Sequence, residues 1–259
     1  MRTLFSVFRE LFMSLPSALD SIRIVLVQTY HPGNIGSAAR AMKTMGLTNL
    51  WLVNPREFPH PEAERLATNA VDVLAEATVV GSLAEAISDC GLVVGTSARD
   101  RSFSLPPLLP ESCAEKLVAE ANQYPVALVF GRERMGLHNE EIQQCHFQVN
   151  IPANPECPVM NIASAIQVLC YEVFKFASAN QSPQTESEDY PLHKELEQFY
   201  QHLEETLGDV GFLNPNHPGN TMDRLQRLFR KARPEAKELK LLRGLLSGIQ
   251  KATKHPQDP

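Results

Sequence analysis

From Ser21 to about residue 178 the chain alternates between two kinds of segment, and no other feature restricts its fold as strongly. The first kind is a short apolar run: IRIVLVQ (22–28), NLWLVN (49–54), GLVVGT (91–96) and PVALVFG (125–131). Runs of that length with little polar alternation suit strands buried on both faces. The second kind carries helical patterning, at 35–46, 82–90 and 111–122. A last strand, HFQVNI (146–151), precedes a long apolar helix from Asn161 to about Ala179. Strands buried on both faces need helices on both faces, so the expectation is an α/β fold around a parallel sheet.

Composition sets the outer limits. With 259 residues, 43% hydrophobic and 21% charged, the chain has the make-up of a folded protein: one large domain, or one domain with a small appendix. Its five cysteines are odd in number, widely spaced and free of any CxxC pair, which argues for reduced thiols and against a disulfide frame or a metal site. No apolar run approaches the roughly 20 residues that span a bilayer. Arg9 and Glu10 interrupt the opening segment as a signal-peptide core, so residues 1–20 read as an N-terminal extension in which Met13 is an alternative start. The expected location is the cytoplasm, with no membrane partner.

Charge is unevenly spread. Residues 1–190 carry a net −8 and residues 191–259 a net +2, within an overall −6. Residues 180–190 (NQSPQTESEDY) read as a linker, and 191–259 as a basic extension of three helices. Ten basic and three acidic side chains fall within 222–254, where Arg224, Arg227, Arg230 and Lys231 are candidate phosphate contacts.

Parallel α/β sheets bind ligands at the carboxyl ends of their strands. Four segments there stand out. TYHPGNIGSAAR (29–40) has two glycines for close backbone approach, Asn34 to cap a helix or meet a ligand, and Arg40 further along. GTSARDRS (95–102) places small residues before Arg99. FGRERMGLHNEE (130–141) brackets Arg132, Glu133 and Arg134 with glycines; in isolation such a triplet reads first as a local ion-pair network. IPANPECPVMNIASA (151–165) is a proline-rich loop with Asn161 at its helical end. Neither GxGxxG nor GxxxxGK[ST] occurs, which disfavours NAD enzymes and P-loop NTPases.

These segments, GNIGSAARAMKTMGL, NLWLVNP, LVVGTSAR, VALVFGRERMGL and the IxANPE…N loop, closely resemble the bacterial tRNA 2′-O-methyltransferases of the SPOUT superfamily over residues 21–179. The resemblance implies a C-terminal trefoil knot in the α/β domain, a homodimer, and S-adenosylmethionine as methyl donor, with no metal. The implied reaction methylates the ribose 2′-hydroxyl of cytidine or uridine 32 in the tRNA anticodon loop. Matched by motif, the cofactor pocket comprises Thr96, Ser97, Ala98, Gly131, Ile151, Pro158, Val159 and Met160. The matched catalytic set is Arg40, Asn34, Glu133 and Asn161, with Glu133 expected to hold Arg40 or the loop arginines. Arg99, Arg132 and Arg134 are expected to contact RNA near the pocket. In one respect the chain departs from the resemblance: Val159 stands where the motif has serine, which leaves open a non-catalytic tRNA-binding protein that keeps the pocket. Because guanidinium stays protonated at neutral pH, Arg40 is expected to clamp a phosphate and orient the hydroxyl rather than act as a base.

Overall fold

The computed structural model describes residues 17–97, 105–179, 189–213 and 220–254. Ala98 and Arg99 of the expected site, and nearly all of the N-terminal extension and of the linker, lie outside the described residues.

A seven-stranded sheet forms the centre: β1 (Ile22–Val27), β2 (Leu50–Val53), β3 (Thr78–Val80), β4 (Leu92–Thr96), β5 (Pro107–Leu108), β6 (Val126–Phe130) and β7 (Phe147–Val149). Every pairing is parallel, in the order β3-β2-β1-β6-β4-β7-β5. The five expected strands are present. The two unexpected ones, β3 and β5, are the edges; they are three and two residues long and largely solvent-facing, so neither carries a buried apolar run.

Alternate residues of the central strands feed two cores. On one face Ile22, Ile24 and Leu26 of β1 join Leu128 and Phe130 of β6. On the other, Val25 and Val27 join Val93 and Val129. The helices in chain order are α1 (Pro32–Thr44), α2 (Pro61–Ala67), α3 (Val71–Ala75), α4 (Leu83–Ile87), α5 (Pro110–Ala121), α6 (Asn139–Ile142), α7 (Ile162–Ala179), α8 (His193–Asp209), α9 (Thr221–Ala232) and α10 (Ala236–Lys254). In α1, Ile35, Ala38, Ala39 and Met42 are buried at helical spacing, and Pro32 supplies a first-turn residue whose missing N–H costs nothing there.

Helix α7 is, among the described residues, long and apolar enough to cross a bilayer by length and composition alone. It packs instead on α1 and α5, burying Ile166, Leu169, Cys170 and Val173. One charge sits inside the sheet. Arg23 of β1 is buried, pairs with Asp89 at 2.8 Å, donates to the carbonyl of Ala86 and lies 3.9 Å from the Trp51 ring centroid.

Helices α8, α9 and α10 form a third core around Leu196, Phe199, Tyr200, Leu203, Leu239 and Leu246. This bundle is bound to the sheet region. His193 N–H donates to Cys90 O (2.9 Å), Lys194 N–H to Ser88 O (3.1 Å), and Arg233 forms an ion pair with Glu120. One expectation on α9 needs correction. Arg230 is buried, donating to Glu197 at 2.9 Å with its guanidinium 5.0 Å from the Tyr200 ring. Its charge is consumed inside the bundle, so Arg230 is not a surface phosphate contact. Arg224 and Lys231 are exposed.

Candidate active site

The loops after β4, β6 and β7 converge at the carboxyl ends of the central strands, where open parallel sheets bind their ligands. They line an open cleft. Its floor is Thr96 at the end of β4, Ser97 just after it and Phe130 from β6; its walls are Gly131–Gly136 on one side and Asn150, Ile151 and Pro158–Met160 on the other.

The loop after β6 closes on itself. Gly136 N–H donates to Arg132 O (2.8 Å) and Arg132 N–H to Gly136 O (3.1 Å), with Gly136 at φ 68°. The chain passes so close to itself that a Cβ on Gly131 would lie 2.0 Å from the Gly136 carbonyl carbon. Glycine is therefore a steric requirement here. Thr96 Oγ1 donates to Val129 O (3.1 Å) and Ser97 N–H to Val149 O (3.1 Å), which anchor the end of β4 between its neighbours.

Beside the cleft, three loops distant in sequence are joined by one polar chain. Asn34 Nδ2, at the head of α1, donates to Glu133 Oε1 (3.0 Å). Asn161 Nδ2 donates to Asn34 Oδ1 (3.1 Å), while Asn161 Oδ1 accepts the Ala163 N–H (2.9 Å) and caps α7. Glu133 also accepts the backbone N–H groups of Tyr30 and His31 at 3.1 Å. Partial burial pushes the Glu133 carboxyl up. The bonds from Asn34 and from the His31 and Tyr30 amides outweigh it and hold the group below its ordinary range. A carboxylate so occupied positions loops; it is not free to take a proton.

Residues 21–171 match the SpoU rRNA Methylase family model. The chain belongs to the SpoU methylase family. Within that family it groups with TrmJ: residues 194–258 match the model of the TrmJ tRNA methyltransferase C-terminal domain. The tRNA (cytidine/uridine-2′-O-)-methyltransferase TrmJ of Klebsiella pneumoniae subsp. pneumoniae is 54% identical over 241 residues, covering 91% of this chain and 99% of the relative. The same-named protein of Shigella dysenteriae serotype 1 is 55% identical over 240 residues, covering 91% and 98%. Among solved structures, TrmJ from Z. mobilis ZM4 superposes with a TM-score of 0.76 at 33% identity, covering 88% of this chain and 98% of that one. A probable methylase family protein from Haemophilus influenzae Rd KW20 gives 0.60 at 42%, covering 92% and 100%.

In this SpoU frame the expected residues fall into three sets. Thr96, Ser97, Gly131, Ile151, Pro158, Val159 and Met160 all line the cleft. Asn34, Glu133 and Asn161 form the polar chain beside it, but Glu133 does not hold Arg40 as expected. Arg40 is exposed and does not line this cleft; its helical position turns it away from Asn34. Of the loop arginines, Arg134 is exposed at the cleft, whereas Arg132 is held inside a bidentate pair with Glu141 (2.9 Å for each bond) and donates to Gln28 (2.9 Å). Arg132 thus follows the ion-pair reading and not the RNA-contact one. Cleft residues that sequence reasoning passed over include Asn150, Met135 and Ala165. Their only sequence signal is adjacency to recognised motifs.

Proposed function

We infer that this chain transfers a methyl group from S-adenosylmethionine to a ribose 2′-hydroxyl of tRNA, at cytidine or uridine 32 of the anticodon loop. The observation that carries this reading is the cleft itself, lined by seven residues of the motifs that the SpoU family model spans. Residues 21–179 act in this reading as the methyltransferase domain, its chain path including the family's trefoil knot, and residues 191–259 as the basic extension. The protein works in the cytoplasm.

The cleft suits the donor. Val149, Ile151, Pro158, Val159 and Met160 offer apolar surface to a nucleoside, and the polar groups between them can fix its orientation. At Gly131 and Gly136 the other wall carries no side chain, so main-chain groups there can meet a ligand directly. When bound, the sulfonium supplies an already activated methyl group. What remains for the protein is alignment, which is worth roughly 7–11 kcal/mol in well-oriented reactions. The chain Asn161–Asn34–Glu133 fixes three loops around the reacting position. Arg40 clamps a phosphate and orients the hydroxyl, whose proton passes to that phosphate or to water.

Arg40 lies outside its own cleft, so we place it at the cleft of a second copy in a homodimer. Helix α7 supports this pairing: it is apolar along its length, yet Tyr171 is 49% exposed. Arg134 at the cleft, with Arg224 and Lys231 on the extension, contacts RNA phosphates, so tRNA affinity falls steeply with salt.

Incorporation of labelled methyl into unmodified tRNA, followed by mapping of the 2′-O-methyl position, tests the activity. Val159 in place of the motif serine supports one second reading, a tRNA-binding protein without turnover. Binding of tRNA with no methyl incorporation would select it.

A further inference from the structure

We propose that Tyr30 and Arg56 form a stacking platform for one unpaired nucleobase of the RNA, next to the nucleotide being methylated. This rests on the tRNA-methyltransferase reading and gives a role to two side chains that no step above uses. Tyr30 follows β1 and Arg56 follows β2, so both stand at the carboxyl edge of the sheet that also builds the cleft. The Arg56 guanidinium lies 3.9 Å from the Tyr30 ring centroid, and Tyr30 is nevertheless 59% exposed. One ring face is covered by a cation and the residue still presents wide aromatic surface to solvent.

Three features make this surface a platform rather than a loose side chain. The Arg56 N–H donates to Thr29 O (3.1 Å), which ties the two loops together beside the ring. The Tyr30 N–H donates to both carboxylate oxygens of Glu133 at 3.1 Å, so the ring's backbone is one bond from the cleft wall. Among the described residues no carboxylate pairs with Arg56, whose charge is therefore available to an anion.

The ligand follows from that chemistry. Flat aromatic surface beside an unpaired cation matches a nucleobase and its own phosphate: the base stacks on the open ring, and the in-plane N–H groups of Arg56 reach the backbone. Met135 and Val159, 56% and 55% exposed, offer further apolar surface on the cleft itself. Stacking reads the face of a base and not its edge, so the platform holds an unpaired loop nucleotide without selecting its identity.

The test compares wild type with Tyr30→Ala, Tyr30→Phe, Tyr30→Leu and Arg56→Ala. Readouts are tRNA Kd, methylation kcat and KM, S-adenosylhomocysteine affinity by calorimetry, and melting temperature. Expected is a rise of about tenfold or more in Kd and KM for tRNA in Tyr30→Ala. Its kcat, S-adenosylhomocysteine affinity and melting temperature stay close to wild type. Tyr30→Phe keeps wild-type affinity and Tyr30→Leu does not. Arg56→Ala weakens tRNA binding and reduces the salt slope by about one. Wild-type tRNA affinity in Tyr30→Ala, or equal affinities for the Phe and Leu variants, overturns the platform. A wild-type chain that binds tRNA without methylating it overturns the activity instead, and the Kd ratios still decide the platform.

Discussion

Glu133 and Asn34 meet at 3.0 Å across 99 residues of sequence, and through Asn161 the same contact reaches the head of α7. The two glycine-containing loops and the head of α7 are therefore tied into one unit. Asn34→Asp sets a second carboxylate against Glu133 and removes the donor; a fall of at least tenfold in kcat is expected, together with a lower melting temperature. Glu133→Ala removes the acceptor of the exposed Tyr30 and His31 amides and of Asn34, at a cost of about 0.5–1.5 kcal/mol in urea unfolding. Equal kcat in Asn34→Asp and wild type would show that the unit does not position the reaction.

Arg40 lies apart from the cleft that its own chain builds. Arg40→Ala is expected to leave S-adenosylhomocysteine affinity within about twofold and to cut methyl transfer by about a hundredfold or more. Arg40→Lys, which keeps charge but loses the planar fork, falls between. Mixing Arg40→Ala with a cleft-dead Gly131→Ala chain distinguishes the two placements. If Arg40 serves a second copy's cleft, one intact site forms per mixed dimer and activity returns; if each chain is self-contained, the mixture stays inactive.

Gly131→Ala puts a methyl group into space held by Gly136 and Leu137 backbone, 2.0 and 2.1 Å from the new carbon. The loop must open to accept it, which removes the cleft wall. Calorimetry is expected to show at least a tenfold loss of S-adenosylhomocysteine affinity, with the rest of the sheet folded by circular dichroism.

The helical extension is held by Arg233 and Glu120, whose side chains are only 9% and 13% exposed. Glu120→Ala leaves a buried guanidinium unpaired, a change worth about 3–5 kcal/mol. Earlier proteolytic release of the segment 194–258 and a lower urea midpoint are the expected results. The reciprocal Arg233→Met, which removes the charge, is milder.

The same junction responds to acid. Burial first, then the charges of Arg233, His193 and Arg230, hold His146 well below the ordinary histidine value of 6.5. Burial and Arg230 draw His193 down to about 4, against the opposing pull of Glu197. Both rings are neutral when folded, while the unfolded chain takes up protons below 6.5. Stability is complete above that pH and is lost as pH falls from 6.5 through the folded value. The slope is about 1.4 kcal/mol per pH unit for each histidine. Urea unfolding between pH 7 and pH 5 measures it, and His193→Gln flattens it.

Particular residues show how far sequence reading reaches. The central strands were legible because Ile22–Val27 and Val126–Phe130 are buried on both faces, and a continuous apolar run has few other uses. The edge strands were not, since Thr78–Val80 and Pro107–Leu108 are too short and exposed to differ from loops. Gly131, Ile151 and Met160 were found through local motif, which survives in a linear string.

Order within the sheet, with β1 seated between β2 and β6, belongs to tertiary structure, because it pairs segments about a hundred residues apart. The same holds for the arginines. Arg132, Arg134 and Arg230 look alike in sequence, but the fold pairs Arg132 with Glu141 and Arg230 with Glu197 and puts Arg134 on the exposed side of the cleft. Amino-acid sequence by itself determined which residues are apolar, small or charged, and hence the layers of the fold and the contents of its loops. Only the folded chain decided which charges face each other, since the energy of a charge depends on its partner and its burial and neither is encoded locally.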